Sequence, residues 1–109
     1  MSKSVGFVVI YRWRLHPGKE MQFQEIWSRN TPLIIEHCGG LGSRLHQAED
    51  GTWLAYAQWP DKETWERSYS VPNWSPPGAP LLQDCVAESF PRILLHPVAD
   101  FLVQTKIHT

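Results

Sequence analysis

The stretch VGFVVIYRWRLH, Val5 to His16, constrains this chain more than any other segment. Phe7, Val9, Tyr11, Trp13 and Leu15 alternate with Val8, Ile10, Arg12, Arg14 and His16, the period of a β-strand. Both faces begin apolar. A strand of that kind must be covered on both sides. Helices of the same chain can cover one side. A second copy of the chain is expected to cover the other.

The remaining pattern supplies those helices and the rest of a sheet. Pro17-Gly18 ends the strand, and a helix is expected from Lys19 onward. Its apolar stripe carries Phe23, Ile26, Trp27, Asn30, Ile34 and His37 at helical spacing. Pro32 removes one backbone bond, so a kink or restart is expected near Arg29–Thr31. Gly39-Gly40 then stops the helix. Strands are expected at Leu41–Gln47 and Thr52–Trp59, joined by a hairpin at Glu49-Asp50-Gly51. Asp61 can cap a short helix that carries Trp65, Ser68 and Tyr69. Val71 to Pro80 holds four of the nine prolines and is expected to be a loop. A short helix is expected at Leu81–Phe90, an extended piece at Ile93–Leu95 and a last strand at Ala99–Ile107.

This order, β-α-β-β-α-β, is that of a ferredoxin-like α+β fold, an antiparallel sheet with helices on one face. A single domain over residues 1–109 fits the length. Net charge is −1 with no basic block, so no nucleic-acid partner is expected. The longest apolar runs are Phe7–Ile10, Leu33–Ile35 and Ile93–Leu95, too short for a membrane span of about 20 residues. Arg12 and Arg14 fall where a secretory leader needs apolar residues, and Cys38 and Cys85 are isolated. Reduced thiols and a cytoplasmic location are therefore expected.

The strand followed by PGKE, the helix ending in HCGGLGSRLH and the segment EDGTWLAYAQWPDKETWE resemble the antibiotic biosynthesis monooxygenase family. The resemblance runs from Val5 to about Ser70 and more loosely beyond. It implies a dimeric α/β barrel with a small pocket between sheet and helices in each subunit. It also implies, for some members, oxidation of polycyclic aromatics by O₂ without metal or flavin, so no cofactor is expected. Other members degrade haem, using an Asn, a Trp and an axial His. Tyr11, Ser68 and Gly78 stand at about those positions here, which argues against haem chemistry.

Candidate chemistry rests on isolated polar side chains, since the five His have no metal-ligand spacing. His37 is a candidate general base, or a helix-end residue packing through its ring. Tyr11 can orient a phenol or ketone, or be a core Tyr. Asn30 can donate to a developing oxyanion, or sit exposed at the proline. Trp59, Trp65, Tyr69 and Trp74 can wall a slot for a planar ligand; Trp59 and Trp65 also suit the core, and Trp74 can plug the core, cover a pocket mouth or contact a partner subunit. Arg12 and Arg14 can pair with acids across a dimer interface. Two functions fit: a cofactor-independent oxygenase for an aromatic or apolar small molecule, or a non-catalytic binding or stress-related protein.

Overall fold

The structure, a computed structural model, describes residues 4–103. In chain order it has β1 (Phe7–Leu15), α1 (Glu20–Cys38), β2 (Ser43–Gln47), β3 (Trp53–Trp59), α2 (Lys62–Arg67), α3 (Ala79–Asp84), β4 (Val86–Ser89) and β5 (Ile93–Leu95). The sheet is antiparallel and runs β2-β3-β1-β4, with β5 also pairing β1. This is the ferredoxin-like α+β order. The sheet is open and does not close into a barrel.

β1 is central because its faces serve different layers. Phe7 and Val9 are fully buried and Leu15 is nearly so, all toward the helices. Burying a side chain of this size contributes roughly 1.5–3 kcal/mol. β1 pairs with β3 over its length, from Phe7↔Trp59 to Trp13↔Trp53. The hairpin between β2 and β3 turns through Gly51 at φ 89, a left-handed conformation that a side chain would oppose. Asp50 Oδ1 locks it by accepting the Thr52 N–H at 2.9 Å and the Thr52 hydroxyl at 2.6 Å. The same hydrogen bonds, with Arg12 alongside, hold the Asp50 carboxyl below its usual range.

α1 runs unbroken through Pro32, so the expected restart does not occur. Pro32 and Ser28, whose carbonyl lost its partner, both face solvent, and Thr31 Oγ1 donates to the Trp27 carbonyl at 2.7 Å. Gly39 ends the helix in the left-handed region. Asp61 caps α2 as expected, accepting the Thr64 N–H at 2.7 Å.

The C-terminal part departs from the sequence expectation. The helix starts at Ala79, inside the proline-rich segment, and stops at Asp84. Val86–Ser89 is strand β4 rather than helix, because its residues complete the sheet beside Trp13–Leu15. The expected final strand at Ala99–Ile107 is not one: residues 99–103 have no regular structure, and the remainder lies outside the described residues. β4 and β5 together fill the last strand position, with Phe90-Pro91-Arg92 between them. Arg12 and Arg14 pair within the chain, with Asp50 at 3.0 Å and Glu88 at 3.3 Å, rather than waiting for acids from another copy. No helix among the described residues is long and apolar enough to cross a membrane.

Candidate functional site

The helix-facing side of β3 reads Trp53, Ala55, Ala57, Trp59, two small residues between two large ones. All four are buried. Side chains of one methyl group cannot reach α1, so the core divides. One cluster gathers Phe7, Val9, Ala57, Trp59 and Trp65, with Tyr11, Ile34 and Cys38 packed against it. The other gathers Leu15, Phe23, Trp53 and Cys85, backed by Trp13, Trp27 and Leu82. Between them lies a cavity of about 240 Å³. Its floor is Ala55 and Ala57; α1 roofs it with Trp27, Thr31 and Ile34. Among the described residues, the lining contains no carboxylate, imidazole or cation.

One corner is polar. The Trp65 indole N–H donates to the Tyr11 phenolic oxygen at 2.9 Å, and Tyr11 and Tyr69 hydroxyls lie 3.4 Å apart. Arg92 donates to the Tyr69 oxygen at 2.5 Å and lies over the Trp65 and Tyr69 rings. Trp and Arg can only donate, so each phenolic oxygen is already an acceptor. Two proton arrangements satisfy the pair. Tyr11 donates to Tyr69, whose own proton then faces solvent; or Tyr69 donates to Tyr11, whose proton then faces the cavity. Burial, then the hydrogen bond with Tyr69, raises the Tyr11 pKa well above that of an ordinary phenol. Tyr11 is thus a neutral donor and acceptor near neutral pH. Cys38, also on the wall, stays a thiol because burial raises its pKa.

Segment 71–78 passes across the remaining side. Trp74 lines the cavity and stacks on His37, with ring centroids 4.6 Å apart and planes 21° apart. Asn30 is buried, and its Oδ1 accepts the Gly78 N–H at 3.3 Å, tying the end of this segment to α1. A Cβ on Gly78 would meet Ile26 Cγ2 at 2.6 Å, so only glycine allows this approach.

The candidates from sequence therefore separate. Tyr11, Trp59, Tyr69 and Trp74 line the cavity. Trp65 stands behind Tyr11 and holds its oxygen. His37 lies on the exposed side of α1, outside the cavity lining, and its ring serves Trp74. Asn30 is buried rather than exposed, and its amide oxygen is spent on the backbone. Sequence reasoning missed Arg92, which follows Pro91 without any pattern, and the Ala55/Ala57 floor. Trp59 Nε1 is buried without a partner among the described residues, and nothing in the structure explains it. No group of three or more His, Cys, Asp or Glu able to hold a metal occurs among the described residues.

The profile of the antibiotic biosynthesis monooxygenase family matches residues 6–74, which is most of the sheet, α1 and the whole aromatic corner except Arg92. The chain belongs to the antibiotic biosynthesis monooxygenase family. Among solved structures this monooxygenase-family chain is similar to SnoaB, a cofactor-independent oxygenase from Streptomyces nogalater. The TM-score is 0.73 at 18% identity, over 90% of this chain and 98% of that one. It is also similar to a Streptomyces coelicolor monooxygenase from the gene ActVA-Orf6, solved with the ligand Nanaomycin D. There the TM-score is 0.69 at 20% identity, over 92% and 94% of the two chains. Rv0793 from Mycobacterium tuberculosis gives a TM-score of 0.70 at 11% identity, over 88% and 98%. At such identities the likeness of these family members is one of fold. No curated protein matches.

Proposed function

We propose that this family member is a cofactor-independent monooxygenase for an apolar aromatic phenol, with the Tyr11 hydroxyl at the wall of the cavity as the group that handles the substrate proton. The observation that carries the reading is the pair of hydroxyls, Tyr11 inside and Tyr69 at the exposed mouth, joined at 3.4 Å in a largely apolar cavity. The substrate hydroxyl gives its proton to the Tyr11 oxygen as Tyr11 passes its own to Tyr69, and Tyr69 passes its proton to water. Tyr11 never carries charge, which its raised pKa favours. The resulting electron-rich ring transfers an electron to O₂. The radical pair collapses to a carbon–oxygen bond at the para carbon, and the relay returns a proton to the peroxide formed. Loss of water then leaves a ketone. Overall, phenol plus O₂ gives quinone plus water: one oxygen atom enters the product and the substrate supplies all the electrons. The chain contributes confinement, orientation and dryness.

A homodimer fits the far sheet face. Ile93 and Leu95 there are 51% and 38% exposed, and Val98 and Phe101 just beyond are 97% and 92% exposed. A second copy covering them would bury an apolar surface that a monomer leaves wet. Both cysteines are free thiols, which accords with a reducing, cytoplasmic compartment.

The test is O₂ uptake with α-naphthol and with anthrone, with isotopically labelled O₂ to count oxygen atoms in the product. One labelled atom per product, lost in Tyr11→Phe, supports the reading; no uptake with either compound sinks it. The lack of any carboxylate, imidazole or cation on the cavity wall, among the described residues, favours a second reading, a non-catalytic small-molecule binder. That reading predicts binding without uptake.

A further inference from the structure

The cavity restricts its occupant more tightly than the family does, a restriction that rests on the cavity being the substrate site. Its size comes first. A cavity of about 150 Å³ lined by apolar side chains holds one benzene ring. The cavity here, about 240 Å³ and open at the Tyr69 mouth, has room within its walls for a second fused ring. The floor agrees: Ala55 and Ala57 are neighbours on one strand face, roughly 7 Å apart. Trp53 and Trp59 close the same face beyond them.

Polarity comes next. Tyr11 pairs with Ala55 across the ladder, and Trp13 lies one step further along that face. The polar corner is therefore on the Tyr11 side. The Trp13 side ends in Trp27 and Leu82, backed by fully buried Phe23 and Cys85. Two further hydroxyls on the wall are committed: Thr31 Oγ1 donates to the Trp27 carbonyl and Ser68 Oγ to the Trp65 carbonyl. Ser43 is level with Ala57, on the side away from Trp13. A polar substituent pushed toward Trp27 would be desolvated without a partner.

We infer that the ligand is a two-ring fused aromatic with an oxygen substituent on one ring and a bare second ring, and that Trp27 and Leu82 set this limit. The oxygen-bearing ring lies by Tyr11 and the bare ring lies against Trp27.

The test is an anaerobic titration following tryptophan fluorescence, with phenol, α-naphthol, a naphthalene diol carrying one hydroxyl on each ring, and anthrone. The unaltered protein should bind α-naphthol at least about tenfold more tightly than each of the other three. Trp27→Ala should reverse the order of α-naphthol and anthrone. Leu82→Ala, a smaller change at the same wall, should narrow the gap and serves if Trp27→Ala does not fold. Anthrone binding the unaltered protein as well as α-naphthol does, no binding of α-naphthol, an unchanged order in Trp27→Ala, or an unchanged gap in Leu82→Ala overturns the inference. Failure here is distinct from failure of the oxygenase reading. Tight α-naphthol binding without O₂ uptake leaves the size limit standing and removes the chemistry. Uptake with anthrone but not α-naphthol does the reverse.

Discussion

The Trp65 indole N–H donates to the Tyr11 phenolic oxygen at 2.9 Å, and this bond joins helix α2 to the central strand at the cavity's polar corner. Removing the acceptor leaves a largely buried donor unpaired. Tyr11→Phe should cost about 1–3 kcal/mol in urea unfolding. Combined with Trp65→Phe in a double-mutant cycle, it should show a coupling of about 0.5–3 kcal/mol. Additive effects would mean the bond contributes nothing.

The same residue separates the two proton-handling candidates. Tyr11→Phe should lower turnover about 10²–10⁴-fold, the usual worth of a positioned proton-transfer group. His37→Ala should leave turnover within about threefold, because His37 lies outside the cavity wall. An oxygen electrode reads both. Loss of activity in His37→Ala with Tyr11→Phe still active would invert the assignment.

Alkaline stability depends on the raised pKa of Tyr11. Its ordinary value is 10.0, and the folded value is higher. The folded chain therefore keeps a proton that the unfolded chain releases. Its contribution is fully present below pH ~10 and is lost as pH rises from there toward the folded pKa. Urea midpoints should fall as pH rises above ~10, more shallowly in Tyr11→Phe. Equal slopes in the two proteins would remove Tyr11 as the source.

Filling the floor should trade binding for stability. Ala57→Leu places a larger side chain in the gap between the two clusters, where apolar contacts are missing. Thermal unfolding should hold steady or rise, while affinity for α-naphthol should fall at least about tenfold. A fall in stability together with unchanged affinity would place the gap elsewhere.

Asn30→Ala should release the end of segment 71–78. The Gly78 N–H would lose its acceptor at a cost of about 1–3 kcal/mol. Amide exchange at Gly78 should speed up more than exchange in β1. Uniform acceleration across both would show that Asn30 stabilises the whole domain instead.

Much of the fold was legible because it rests on periods and punctuation. The β1 alternation, the Gly39 stop, the Asp61 cap and the Gly51 hairpin each act locally and read correctly. Leu81–Phe90 misled because Leu81, Leu82, Cys85 and Val86 fit a helical stripe. Pairing with Trp13–Leu15, a tertiary contact, decides that Val86–Ser89 is strand. The cavity was half legible. Its aromatic walls are readable in the sequence, yet the volume comes from Ala55 and Ala57, small residues on a face otherwise built of Trp. That signal was present in WLAYAQW. Arg92 was not legible, since only the sheet register brings it to Tyr69, 23 positions away.

The divided last strand has a consequence for life at high concentration. β4 has four residues and β5 three, with a proline in the gap. The rim they form cannot offer a foreign chain a long, unbroken ladder of backbone donors and acceptors, and Pro91 has no N–H to give. Arg92 adds a charge at the notch. The opposite rim, β2, is five residues long and shows Arg44 and His46 to solvent. Short edges and charge are the means by which sheet proteins resist edge-to-edge growth. A chain with six tryptophans and a hollow core is thereby guarded against fibril seeding on both flanks.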